Sequence, residues 1–161
     1  EKDAADSLLD VGADVLSMHQ DTPATLQAAE ERGKFAIGND SDMRQFAPEA
    51  FLTAPIWDWG VLYKYFATEV HNGTWKPEEI WWGMETGVVK LAPLSDKVPQ
   101  KVQALVAEKQ QALMEHKTQV FTGPIKNQAG EIVLAAGKTY GDKELLSMNF
   151  FIEGVQGTIA K

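Results

Sequence analysis

The sequence predicts an α/β fold, a parallel sheet flanked by helices. Three observations carry that expectation. Short apolar runs at residues 15–18 and 35–38 have the length of buried strands. A helical pattern precedes each run, over residues 4–9 and then from Pro23 to about Arg32. Helix and strand alternating at this spacing require crossover connections, and crossovers make neighbouring strands parallel.

The elements follow in order. Residues 4–9 read as the end of an amphipathic helix, and Val11-Gly12-Ala13-Asp14 turns into the first strand. Thr22 stands as N-cap of the next helix, with Pro23 at its first position and Gly33 at its end. A third strand is expected over residues 51–56. An aromatic helix runs from Trp59 to about His71, with Leu62, Tyr65, Phe66 and Val70 on one stripe, and Asn72-Gly73 terminates it. Residues 87–91 read as a strand. Pro99 starts a long helix through about His116, with Val102, Leu105, Val106, Leu113 and Met114 apolar. Residues 120–125 and 132–136 flank Asn127-Gln128-Ala129-Gly130 and predict a hairpin. Asp142 is expected to cap a last helix, with Phe150-Phe151-Ile152 as an apolar anchor.

Composition excludes several classes. A net charge of −8 argues against nucleic acid and against anionic membrane surfaces, both of which need clustered Lys and Arg. Arginine occurs only at Arg32 and Arg44, so a paired guanidinium clamp for phosphate is not expected. Cysteine is absent, which removes disulfides, thiolate metal sites and cysteine nucleophiles. No run approaches the roughly 18 apolar residues of a membrane span. The chain opens at Glu1 in what reads as the middle of a helix, so an upstream portion is expected to have been removed.

Two polar loops end neighbouring strands: His19-Gln20-Asp21-Thr22 and Asn39-Asp40-Ser41-Asp42. Both lie at the carboxyl edge of the expected sheet, where open α/β sheets bind ligands. Asp40 reads either as an acceptor for a ligand hydroxyl or amine, or as a turn residue holding its own backbone. Pattern alone favours the turn. Asp40 and Asp42, two apart, should point to different sides and not act as an acid/base pair. His19 has no companion ligands, so no metal or cofactor is expected. His71 and His116 fall near helix ends. All five tryptophans lie between Trp57 and Trp82, and most are expected to fill a core or a junction between lobes. Trp57 ends a strand at the ligand edge and is the best stacking platform for a flat ring. Nucleophile elbows and glycine-rich phosphate loops are absent.

Read in order, certain segments resemble one family. They are Gly12-Ala13-Asp14-Val15-Leu16, Gln27-Ala28-Ala29-Glu30, Ile37-Gly38-Asn39-Asp40-Ser41-Asp42-Met43 and Leu52-Thr53-Ala54-Pro55-Ile56-Trp57-Asp58-Trp59-Gly60. Gly87-Val88-Val89-Lys90-Leu91-Ala92-Pro93, Phe121-Thr122-Gly123-Pro124-Ile125 and Leu146-Ser147-Met148 complete the set. Over essentially the whole chain they resemble the BMP (basic membrane protein) family of ABC-transporter solute-binding proteins. The resemblance implies a type I periplasmic-binding-protein fold with two lobes joined by hinge strands, of which this chain holds the C-terminal part. Residues 1–56 and about 83–135 would then belong mainly to the C-terminal lobe. Residues 57–82 and 136–161 would form the hinge or meet the other lobe.

The resemblance also implies a purine nucleoside or nucleobase as ligand, clamped between the lobes, and ABC permease subunits as partners. The family's ribose-binding Asp falls on Asp40, and the loop ending at His19, Gln20 and Asp21 borders the ligand. That loop is glycine-rich in nucleoside-binding members, and those members carry a Lys where this chain has Trp57. The two departures point toward another purine, such as free adenine, with Trp57 and His19 holding the ring. Periplasmic or cell-surface location follows, membrane-anchored where an upstream residue is lipidated. Self-association of the half-chain through uncovered apolar surface is a further expectation. Two alternatives stay open: an α/β enzyme acting on nucleosides through Asp40 or Asp42 with His19, and a sensory domain of the same fold.

Overall fold

The alternation of helix and strand folds as that pattern predicts. A computed structural model describes residues 1–159. It opens with α1 (Lys2–Asp10), β1 (Val15–Ser17), α2 (Ala24–Glu31), β2 (Phe35–Ile37) and β3 (Phe51–Thr53). The strands form one sheet in the order β1-β2-β3, all parallel. Leu16 and Ala36 are paired in register and both are buried. Against them pack Ala5 and Leu9 of α1, one turn apart on one helix face, and Leu26, Ala28 and Ala29 of α2. The core is rich in alanine, so helix and sheet backbones approach closely there. Burial is one-sided, however: Val15 and Phe35 remain 47% and 37% exposed, where the sequence predicted fully buried strands. In these short strands successive side chains alternate faces, and both helices bury their apolar residues in the cluster that holds Leu16 and Ala36.

The expected strand over 51–56 is two strands in two sheets. β3 stays in the parallel sheet, while β4 (Pro55–Trp57) pairs antiparallel with β5 (Val89–Leu91). Proline explains the switch, because Pro55 has no N–H to continue a ladder. Around it the partners change. The Thr53 carbonyl accepts from the Gly38 N–H at 2.9 Å, and the Ala54 carbonyl accepts from the Ala92 N–H at 2.8 Å. The Thr53 hydroxyl donates to the Ala92 carbonyl at 2.7 Å. Gly38 is needed at this crossing, since a Cβ there would sit 3.1 Å from Phe51 Cε2 and 3.3 Å from the Ala54 Cβ.

Next comes α3 (Trp59–Asn72). Asp58 caps it, accepting the Gly60 N–H at 3.1 Å, and Gly73 closes it at φ +69°. Lys90, opposite on β5, pairs with the same carboxylate. The hydrogen bond and charge of Lys90, aided by the Gly60 and Val61 amides, hold the Asp58 carboxyl below the usual carboxylate range. A lowered folded value means that this group's contribution to stability is present above the ordinary carboxylate pKa and disappears as pH falls through the lowered one. Thermal melts from pH 6 to 2 should therefore fall more steeply for the native protein than for Asp58→Asn. Parallel curves would show that the pair does not support the fold.

The segment after α3 is irregular and is strapped to it. The Tyr65 hydroxyl donates to Glu78 at 2.6 Å, and the Trp82 ring meets Tyr65 edge-on at 4.9 Å. The carboxylate partner, then burial, push the Tyr65 phenol up to about 12. α4 (Gln100–Met114) starts after Pro99 as expected. Its Leu105, Val106 and Leu113, with Met84 and Leu91, line an apolar groove of about 340 Å³.

The chain divides into two compact units, Glu1–Glu115 and His116–Lys161. The second holds the expected hairpin, β6 (Ile125–Lys126) with β7 (Ile132–Leu134), closed by Asn127, whose Oδ1 accepts the Ala129 and Glu131 N–H groups at 3.0 Å each. Two caps differ from expectation. In the second unit, α5 (Asp142–Leu146) is capped by Gly141, whose N–H donates to Glu144 at 3.1 Å, and Asp142 is the first helical residue. In the first unit, α2 follows directly on Pro23, and Thr22 receives only a long 3.5 Å contact from the Ala24 N–H because its hydroxyl donates to Glu1. No described helix is long and apolar enough to cross a membrane.

Candidate functional site

The carboxyl edge of the parallel sheet collects the candidate residues. β1 ends at Ser17 and runs through buried Met18 into the His19-Gln20-Asp21 loop, all three exposed. β2 ends at Ile37 and runs through Gly38 and Asn39 to Asp40. Asn39 is buried at 7% exposure and, with Thr25, is one of two buried polar residues among those described. Asp40 takes a left-handed backbone, φ +62°, a conformation that Asp tolerates better than most residues. That turn brings the chain back beside β4, where Asp40 makes a parallel bridge to Ile56.

Asp40 and Trp57 meet twice. The Trp57 backbone N–H donates to the Asp40 carbonyl at 3.1 Å, and the indole Nε1–H donates to Asp40 Oδ1 at 2.6 Å. The left-handed turn and the second ladder together hold this pair; Asp40 is thus the turn residue, and its carboxylate accepts from Trp57. Trp57 is nevertheless 43% exposed. Its ring lies 6.0 Å from that of Trp59, which stacks at 6.5 Å on Tyr63. An aromatic row thus leads away from the carboxylate.

Asp42 turns elsewhere, pairing with Arg44 at 3.3 Å, as its spacing from Asp40 predicts. His19, Gln20 and Asp21 share the edge with Asp40 and Trp57 but make no side-chain hydrogen bond to either. Of the two roles expected for most tryptophans, core or junction between lobes, the core is not met. Trp57, Trp59, Trp75 and Trp81 are between 43% and 62% exposed, and Trp82 is only partly covered. Alanines occupy the core, and a core that tight has no room for indoles. Sequence reasoning missed the Asp58–Lys90 pair and the Trp59–Tyr63 extension. An Asp directly before a helix that opens Trp-Gly was the available signal for the first, and i, i+4 aromatic spacing for the second.

Among the described residues no His, Asp or Glu cluster is arranged to hold a metal ion. The arrangement can offer a flat apolar face, one carboxylate beside it and polar loop side chains across the edge. It offers no paired nucleophile and base. A family model for PnrA-like ABC transporter substrate-binding proteins, Bmp, matches residues 1–129.

The chain belongs to the Bmp family.

Among Bmp-like relatives, a purine-binding protein of Brucella abortus is 44% identical over 96% of this chain, which covers 44% of that protein. A protein of Haloferax volcanii named as an ABC transporter glucose-binding protein is 33% identical over 98% of the chain and 38% of its own length. The chain thus spans less than half the length of these relatives. In solved structures, a transcriptional activator of the comK gene from Bacillus halodurans matches with a TM-score of 0.67 at 21% identity, over 73% of this chain and 42% of that one. An ABC transporter solute-binding protein from Conexibacter woesei matches with a TM-score of 0.59 at 22% identity, over 74% and 41%. At such identities the two structures speak for the fold alone.

Proposed function

We propose that this chain forms one wall of the ligand site in the solute-binding protein of an ABC importer, and that the ligand is a purine base or nucleoside. The carrying observation is the half-exposed Trp57 ring pinned beside the Asp40 carboxylate. A planar heterocycle can stack on the indole and donate an N–H or O–H to the carboxylate. The Brucella relative, named as purine-binding, supports the same ligand class. His19, Gln20 and Asp21 border the ring from the neighbouring loop. Ligand contacting two lobes favours the closed state, which permease subunits outside the cytoplasm then read. No bond is made or broken in such a carrier.

A second reading is a sugar ligand, favoured by the Haloferax relative's name. A carboxylate beside an indole also suits a hexose. The test is calorimetric titration of the full-length protein with adenine, adenosine, guanosine and glucose, with products analysed afterwards. Tight binding of a purine without turnover is the expected result. Binding of glucose alone would transfer the assignment to the sugar. Release of free base from a nucleoside would replace the carrier with a hydrolase. No binding at all would remove the ligand assignment.

A further inference from the structure

We infer that Asn39 is a further ligand-contacting residue, whose side-chain amide gives an N–H to an acceptor nitrogen in the ligand's ring. This rests on the purine reading above. Asn39 is only 7% exposed, yet its side chain makes no hydrogen bond to a described residue. Buried amides are nearly always paired, because the water lost on folding has to be replaced. Among the described residues no side-chain N or O atom is both fully enclosed and unpartnered, so the amide atoms of Asn39 reach the surface while the rest of the residue is covered. Thr25, the other buried polar residue, is different in kind: a helical threonine can turn its hydroxyl to a carbonyl of its own helix. Asn39, at the end of a strand, has no such recourse.

The backbone on both sides of Asn39 is tied. The Gly38 N–H donates to the Thr53 carbonyl at 2.9 Å, and the Asp40 carbonyl accepts from the Trp57 N–H at 3.1 Å. The Asn39 carbonyl itself accepts from the Ser41 N–H at 2.7 Å. Asn39 is thus held at the sheet edge next to Asp40. An ionised carboxylate accepts hydrogen bonds and donates none. A purine ring carries acceptor nitrogens as well as donors, so a site that reads it needs a donor beside the carboxylate. Asn39 supplies that donor from a covered position, where a hydrogen bond is electrostatically stronger than in water.

Asn39→Leu removes the amide and keeps a side chain of similar size. Replacing an unpaired buried polar group by an apolar one is neutral or stabilising. The full-length variant should therefore melt no lower than the native protein, while calorimetry shows adenine or adenosine bound about tenfold more weakly, the worth of one hydrogen bond. The 1-, 3- and 7-deaza analogues of both compounds each lack one ring acceptor. One of them should bind the native protein about tenfold more weakly than its parent, and bind the variant as well as its parent does. Unchanged purine affinity in Asn39→Leu, or a deaza penalty that persists in it, overturns the inference and leaves the purine reading standing. A loss of affinity that comes with a clearly lower melting temperature marks the amide as structural and overturns it too. The ¹⁵N side-chain amide resonance of Asn39 gives a measure that does not depend on the variant: it should shift and exchange more slowly in the purine complex, and an unmoved resonance overturns the inference. A native protein that binds neither adenine nor adenosine overturns the purine reading itself.

Discussion

Trp57→Ala should weaken purine binding by the full-length protein about 5- to 150-fold, because stacking on an aromatic side chain contributes about 1–3 kcal/mol per base. The melting temperature should hardly move. Trp57 is 43% exposed and lies outside the buried cluster, so truncating it opens no cavity. Its backbone bond to Asp40 and its place in the β4–β5 ladder survive the change, since they need no side chain. Calorimetry and a thermal melt on the same sample check both halves. Unaltered affinity would mean that the ligand does not lie on this face. A large fall in melting temperature would mean that the indole is structural.

Phe51→Ala should do the reverse and cost about 3–5 kcal/mol of stability, the usual range for emptying an aromatic site in a packed core. Phe51 is 1% exposed and, with Leu26, is among the largest side chains that are fully buried. Its ring edge fills the space above Gly38, and the Arg44 guanidinium lies over its face at 5.4 Å from the ring centre. The surrounding alanines are small and cannot swing in to refill the volume. Denaturant unfolding monitored by far-UV dichroism reads the loss directly. A cost below about 1 kcal/mol would show that the site collapses and that the β2–β3 crossing is plastic. Because that crossing carries Asp40 toward Trp57, ligand affinity should fall with it.

Much of the layout was legible in the linear order of residues. Alternating apolar runs and capped helical stretches located α1, β1, α2 and β2, because burial and capping act over a few neighbouring residues. Asn72-Gly73 ended α3 where expected, since a left-handed C-cap is a local demand that glycine meets. The loops at the sheet edge were legible for the same reason: parallel strands place their carboxyl ends together. By contrast, the caps at Thr22 and Asp142 were misplaced by one residue, because a hydroxyl drawn to Glu1 or a Glu reaching back from the next turn decides such contests.

The residues of the chain by themselves therefore determined the α/β class, the parallel pairing of the first strands and the edge at which the polar loops gather, and they singled out Asp40 and Trp57 one by one. Tertiary structure alone decided that these two join through a 2.6 Å bond. It also decided that the strand after Phe51 divides at Pro55 between two sheets, and that the tryptophans stay outside the core. The physical reason is the same in each case. Local pattern reports what one segment prefers, but a hydrogen bond between Asp40 and Trp57, or the space left by an alanine core, exists only when segments distant in sequence are brought to the same place.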